Sequence, residues 1–145
     1  MKFRLVVCAV LLTMAMVSAR DVGVGITSRG GLARLMLDKS TGVDIELEFR
    51  FDSNREFFAV GGYYFAQPYK EGRYSVHPVA GLRIGYDNQF FLNPKVGLKP
   101  GMELTNRFLL ESFLGLEFLY AFETDYWRVG PTTNFLGSTA LIFMF

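Results

Sequence analysis

The sequence has little cysteine and histidine, and it has no excess of either charge. Its 145 residues include one cysteine, Cys8, and one histidine, His77. These counts exclude a disulfide framework and supply no Cys/His cluster for a metal. Lys plus Arg number 15 and Asp plus Glu number 14, so no basic field favours nucleic acid. No glycine-rich phosphate loop precedes a predicted helix. We therefore expect no metal, no cofactor and no nucleic-acid partner.

Long apolar runs are also scarce, and the one that stands out extends from Leu5 to Val17. It is shorter than the ~20 apolar residues of a membrane-spanning helix. Lys2 and Arg4 precede it, and "VSA" ending at Ala19 follows it, as in a secretory signal peptide. An uncleaved anchor is the alternative. We expect cleavage near Ala19, with residues 1–19 as the signal peptide and residues 20–145 as one exported domain.

What the sequence does have is apolar residues in alternation. Half of the residues are apolar, 16% are aromatic and fifteen are phenylalanine. The stretch "VDIELEFRFD", Val43 to Asp52, alternates apolar and charged residues without a break. This period of two predicts a strand with one apolar face. That face would be buried in a soluble protein and would contact lipid in a membrane barrel.

Similar alternation recurs along the chain and predicts eight strands. Two features weaken individual strands: Leu and Glu in the seventh also favour a helix, and Pro94 and Pro100 predict ladder breaks in the sixth. Residues 123–134 form the longest predicted connection. The predicted strands are Asp21–Ser28, Leu32–Asp38, Val43–Asp52, Phe57–Gln67, Arg73–Asp87, Phe90–Leu104, Phe108–Phe122 and Phe135–Phe145.

The width of an eight-stranded barrel decides which face should point inward. Its interior is just wide enough to be filled by side chains. Large apolar residues from eight strands would crowd it, whereas glycine, serine and a few ion pairs would fit. We therefore predict an all-β, eight-stranded antiparallel up-and-down transmembrane β-barrel. Aromatic residues near the strand ends would form a girdle at the membrane interface: Tyr63, Tyr64, Tyr74, Tyr86, Tyr120, Tyr126 and Trp127.

The C-terminal strand carries a resemblance to a known class of proteins. Gly137, Leu141, Phe143 and the terminal Phe145 resemble the last strand of Gram-negative outer-membrane barrels, although Ile142 and Met144 depart from that pattern. With the eight-strand layout, the chain resembles the small OmpA, OmpX and OmpW group. The resemblance implies an outer-membrane location, lipid as the surrounding partner, and recognition of these residues by the barrel-assembly machinery. It carries over no functional residues, and we expect a monomer.

The predicted inward face collects five basic and six acidic residues, which should pair because isolated buried charges are costly. Strand Val43–Asp52 should find its cations on the strands that carry Arg34, Arg83, Lys95 and Lys99. Such pairs would either close the lumen or line a narrow polar, pore-like path. The predicted network is Arg34, Asp44, Glu46, Glu48, Arg50, Arg83, Lys95, Lys99, Glu103, Glu111 and Glu117.

Three other functions remain as alternatives. A lipid A-modifying enzyme would have to use His77, with Ser75 on the same face, but "RYSVHP" lacks the expected sequence context. A binding or adhesion barrel would use Tyr126, Trp127 and Arg128, whose aromatic and arginine content suits a contact patch. A secreted soluble barrel would bind a lipophilic ligand, although the Gly-x-Trp expected near its first strand is missing. We favour a structural or narrow-lumen barrel without catalytic chemistry.

Overall fold

The computed structural model describes residues 21–52, 55–66, 68–131 and 139–145. Within these ranges the chain forms eleven β-strands and no helix. No described helix has the length and apolar character needed to cross a membrane. The strands are β1 (Asp21–Thr27), β2 (Gly30–Met36), β3 (Gly42–Asp52), β4 (Arg55–Phe65), β5 (Tyr69–Glu71), β6 (Tyr74–Asp87), β7 (Phe90–Glu103), β8 (Phe108–Glu111), β9 (Leu114–Ala121), β10 (Tyr126–Pro131) and β11 (Ala140–Met144).

The strands form an antiparallel sheet that closes into an eight-stranded barrel, as the alternation predicts. β1, β2, β3, β4, β6 and β7 are six successive wall strands. β8 and β9 both pair with β7 in one continuous register and form the seventh. β10 pairs with β9 and β11 pairs with β8, so both occupy the eighth position. β11 also pairs with β1, which closes the barrel.

The barrel has two distinct rims. The turn rim holds the short turns at Ser28–Arg29 and Asn88–Gln89 together with residues 122–125. The C-terminal rim holds Phe145, whose backbone N–H donates to the carbonyl of Val22 at 2.9 Å. Asn88 has a φ of 58°, a left-handed conformation that asparagine adopts more readily than most residues. This conformation fits the two-residue turn between the two longest strands.

The predicted and observed strands differ in three places. Tyr126–Pro131 is β10 and not part of a loop, because its backbone pairs with β9 through residues 116–121. The predicted turn at residues 68–72 contains β5, which forms a small hairpin with β6 around Gly72. The seventh strand is interrupted at Ser112, whose N–H donates to the carbonyl of Pro100 at 2.9 Å. The eighth predicted strand is described only from residue 139 onward.

Proline explains the breaks in the sixth wall strand. β7 runs unbroken through Pro94 and Pro100 on its β6 side. On its other side the ladder with β9 omits Asn93 and Pro94. There the side-chain amide of Asn93 donates through Nδ2 to the carbonyl of Phe118 at 2.8 Å. The partner strand changes from β9 to β8 at Pro100. Both breaks follow from the missing N–H of proline.

Side chains alternate between the interior and the outer wall. In β4, Ala59, Tyr63 and Phe65 are buried, whereas Phe58 and Tyr64 are exposed. Tyr63 therefore belongs to the interior, and its prediction as a girdle residue is wrong. It packs with Phe65, Val79 and Phe113, and a second apolar cluster joins Leu32, Ala140 and Ile142.

Candidate functional site

Four charged side chains from four strands meet inside the barrel. Arg34 on β2 donates through Nε and Nη2 to both carboxylate oxygens of Asp44 on β3, each at 2.7 Å. It also donates to both carboxylate oxygens of Glu111 on β8, at 2.8 and 2.5 Å. Lys99 on β7 donates to Asp44 and lies 4.0 Å from Glu111. Two cations and two anions thus form a neutral group, which we call the charged quartet.

The charged quartet is shielded from solvent by its neighbours. Asp44 is fully buried, and Glu111 and Arg34 are 1% and 2% exposed. The guanidinium of Arg34 lies 4.5 Å from the centre of the Phe65 ring. Because every charge has an opposite charge in contact, the group avoids the cost of an isolated buried ion. Arg34 can bridge two carboxylates because its planar fork donates in two directions.

His77 lies beside the charged quartet and faces the interior. Its Nε2 is 3.9 Å from an oxygen of Glu111, and its Nδ1 is 3.3 Å from the carbonyl oxygen of Ala66. Its ring also makes an edge contact with Phe65 at 5.3 Å. Ser75, two residues earlier on the same face, is also buried. Neither side chain lies on the outer wall.

Two further ion pairs lie nearer the turn rim. Arg83 on β6 donates to both carboxylate oxygens of Glu48 on β3, at 3.0 and 2.9 Å. Lys95 on β7 lies 3.2 Å from Glu117 on β9. The ammonium of Lys95 is also 5.7 Å from the ring centre of Tyr63. These pairs link β6 to β3 and β7 to β9.

Two cavities extend from this group toward the turn rim. The inner cavity, about 40 Å³, is lined by charged and polar side chains that include Glu46, Tyr63 and Lys95. The vestibule, about 410 Å³, is lined by residues that include Phe57, Arg83 and Asp87. Arg29 and Glu48 line both cavities. The lumen therefore contains space near the turn rim, and the charged quartet lies deeper in the barrel.

Three buried polar atoms have no hydrogen-bond partner among the described residues: the hydroxyl of Tyr63, Nε of Arg83 and Oδ1 of Asn93. Tyr63 lines the inner cavity and Arg83 lines the vestibule. A water needs roughly 10–15 Å³ of such space, so the inner cavity has room for water.

The predicted lumen residues fall into three groups. Glu103 lies at the C-terminal rim, half-exposed, and pairs with Lys70 at 2.5 Å, so its placement in the interior network is wrong. The backbone of Arg50 is paired in β3, but its side chain lies outside the described part of the structure. The others face the interior: Arg34, Asp44, Glu46, Glu48, Arg83, Lys95, Lys99, Glu111 and Glu117.

Several residues that line the cavities are absent from the predicted network, and Tyr63 and Arg29 are two of those that line the inner cavity with a polar or charged group beside the predicted charges. Tyr63 was missed because "FFAVGGYYF" is apolar on both faces, so its alternation does not reveal which face is inward. Arg29 was missed because the turn after β1 is only two residues long, which keeps Arg29 against the barrel rim. The glycines of "RGG" indicate a turn but not its length.

Of the predicted assembly residues, Leu141 and Phe143 lie on the outer wall and Phe145 lies at the C-terminal rim, whereas the predicted contact residues lie at the turn rim. Leu141 and Phe143 are half-buried, and Phe145 is exposed. Gly137 lies outside the described residues, as does the predicted signal peptide. Tyr126, Trp127 and Arg128 are all exposed, but they lie on β10. Their prediction as loop residues is therefore wrong.

No group of three or more His, Cys, Asp or Glu side chains suited to a metal occurs in the described ranges. Comparisons with protein-family models, curated proteins and solved structures find no match to this chain.

Proposed function

We propose that the protein is an integral barrel of a Gram-negative outer membrane, with a lumen closed by the charged quartet and no catalytic chemistry. The observation that carries this proposal is the inverted distribution of polarity. Phe49, Ile84 and Leu98 on the outer wall are 49–54% exposed, whereas Asp44 and Glu111 inside are at most 1% exposed. In water this arrangement would expose apolar surface and bury charge. In a bilayer both faces are favourable.

The outer wall is apolar over most of its circumference. Large exposed apolar side chains occur on nearly every wall strand, including Ile26, Leu47, Val60, Leu82, Val96 and Leu116. Soluble monomers rarely expose contiguous apolar patches above a few hundred Å². A belt of this kind is what lipid tails contact in membrane barrels.

Aromatic residues at both rims support the same proposal. Tyr126 and Trp127 are exposed at the turn rim, and Tyr74 and Phe145 are exposed at the C-terminal rim. Aromatic rings are enriched where a bilayer meets water. Gly137, Leu141, Phe143 and Phe145 would serve as the assembly signal that the resemblance implies.

The soluble alternative is disfavoured by the lumen. A barrel that binds a lipophilic ligand needs an apolar pocket of roughly 300 Å³ or more. Here the inner cavity is about 40 Å³ and is lined by charged groups that include Glu46 and Lys99. The larger vestibule also carries Arg29, Glu48 and Asp87. Both spaces also have apolar lining residues, such as Phe113 and Phe57, but each combines them with ionic side chains that a lipophilic ligand would have to desolvate.

Refolding in detergent, followed by electrophoresis with and without heating, tests the membrane assignment. A transmembrane barrel should fold only with detergent or lipid, and its folded form should migrate differently from the heated form. Controls are a soluble β-barrel treated identically and the same protein in urea. A folded, monomeric protein in plain buffer, with no band shift, would contradict the proposal.

A second candidate function, a narrow polar path, is favoured by the vestibule and the inner cavity. These spaces reach from the turn rim to Lys99, which is part of the charged quartet. Conductance of the refolded protein in a planar bilayer separates the two functions. We expect no steady channel current from the wild-type protein. Stable unitary currents would favour the path over the closed barrel.

A further inference from the structure

An amphipathic cleft lies at the C-terminal rim, outside the lumen. It is shallow and largely open to solvent, with a volume of about 540 Å³, and it surrounds the turn between β7 and β8. Its lining combines the polar residues Arg73, Thr105, Asn106 and Arg107 with the apolar residues Leu104, Phe108 and Phe143, which we call its apolar wall. The cleft therefore presents cations beside apolar rings.

The turn geometry holds the cations close to the rim. Arg73 and Arg107 flank the end of β7: the carbonyl of Arg73 accepts from the N–H of Glu103 at 2.8 Å, and the carbonyl of Arg107 accepts from Met144 at 2.8 Å. The hydroxyl of Thr105 accepts from the N–H groups of Arg107 and Phe108 at 3.2 and 3.1 Å. These contacts order the backbone under both arginines.

Both guanidinium groups are available for an external anion. Neither has an ion-pair partner among the described side chains. The nearest carboxylate along β7, Glu103, pairs with Lys70. The cleft therefore presents two guanidinium groups without a described carboxylate within ion-pair distance.

The apolar wall continues onto the lipid-facing surface. Phe108 and Phe143 contact each other with ring centres 5.0 Å apart, and Phe143 makes a similar contact with Phe145. Leu104 and Phe108 are about 40% exposed. An occupant of the cleft thus meets both cations and exposed apolar side chains. This combination matches an anionic head joined to an acyl chain.

We propose that the cleft binds an anionic phospholipid, with its phosphate between Arg73 and Arg107 and an acyl chain against Leu104, Phe108 and Phe143. This inference rests on the proposed membrane location. Arginine matches phosphate geometry because its fork can donate two parallel hydrogen bonds. A basic residue near a lipid surface contributes a factor of about five in affinity. The two arginines together should therefore give a clear preference over zwitterionic lipid.

The test uses full-length protein in nanodiscs of phosphatidylcholine and phosphatidylglycerol at equal amounts, with native mass spectrometry of retained lipid. The wild type should retain phosphatidylglycerol preferentially. R107Q should lower that preference about fivefold, and R73Q/R107Q should nearly abolish it. K39Q is the matched control, because Lys39 is an exposed cation in another turn at the same rim. It should lower the preference less than R107Q does, because Lys39 does not line the cleft.

The outcomes separate this inference from the membrane proposal. Failure to enter nanodiscs contradicts the membrane location itself. Entry with equal retention of both lipids, or an equal loss in K39Q and R107Q, overturns the lipid site alone. Displacement of the lipid by millimolar inorganic phosphate would also overturn it, because the site would then recognise a free anion. Should the double variant fail the heat-shift assay, R73Q and R107Q separately decide the question.

Discussion

Replacing Arg34 by leucine removes the cation at the centre of the charged quartet. The guanidinium donates four hydrogen bonds, two to Asp44 and two to Glu111. Without it, two buried carboxylates share Lys99 as their nearest cation, and Glu111 lies 4.0 Å from it. Removing one partner of a buried ion pair costs about 3–5 kcal/mol. The contact of Arg34 with the Phe65 ring is lost as well.

We therefore expect R34L to lower the free energy of unfolding by about 4 kcal/mol. With a urea dependence of about 2 kcal/mol per molar, the unfolding midpoint falls by about 2 M. The assay is urea unfolding of the refolded protein in micelles, followed by circular dichroism. The variant should also pass ions more readily in a planar bilayer, since the side chain that joins Asp44 to Glu111 is shortened.

A double variant distinguishes the loss of charge balance from the loss of packing. R34L/E111L removes one cation and one anion, leaving the Asp44–Lys99 pair. Replacing a buried ion pair by apolar residues is often neutral, so the double variant should be more stable than R34L alone. A loss below about 1 kcal/mol in R34L, or a double variant less stable than R34L, would refute this account.

Two further predictions concern the wall and a turn. At Gly97, an added Cβ would lie 2.3 Å from the carbonyl oxygen of Leu114, whereas at Gly62 it would meet nothing within 4 Å. G97A should therefore lower the free energy of unfolding by about 1–3 kcal/mol in the urea assay, and G62A by less than about 0.5 kcal/mol. Equal effects of the two substitutions would contradict the close approach at Gly97. In the turn after β2, hydrogen bonds from Thr41 and its neighbour Ser40 lower the pKa of Asp38 from 3.8 to about 2. Because the folded-state pKa of Asp38 is lowered, the stabilisation of the turn is present above pH ~4 and is lost as the pH falls through 2. The amide NMR shifts of Ser40 and Thr41 should therefore titrate with a midpoint near pH 2. A midpoint near pH 4 would contradict these hydrogen bonds.

Much of the fold could be predicted because apolar and polar residues alternate along most of the strands. β3 begins one residue before its predicted start and ends at its predicted end, Asp52. The seventh strand is β-structure and not a helix, since its alternation outweighs the helix preference of Leu and Glu. β10 was missed because "DYWRVGP" contains no sustained alternation and ends in glycine and proline. Its pairing with β9 is a non-local effect that composition cannot reveal.

The site was less predictable than the fold. Alternation assigns Arg34 and Asp44 to the inward face, but their height along the barrel depends on register. The observed pairing places Arg34 directly opposite Asp44 in the β2–β3 ladder. Glu103 shares the inward periodicity, yet β7 extends to the rim there and Lys70 meets it from β5. Turn lengths and strand stagger decide such cases, and neither is encoded in the period of two.

The charged quartet also explains how the register of this wall is specified. A slip of one residue between β2 and β3 would turn Arg34 or Asp44 toward the outer wall, which is costly if that wall faces lipid. A slip of two residues would keep both side chains inside but separate them by about 7 Å along the strand. Apolar residues at these positions would tolerate the two-residue slip, because any apolar neighbour suffices. Ion pairs with Glu111 and Lys99 penalise both slips, so the charges specify a single alignment of β2, β3, β7 and β8.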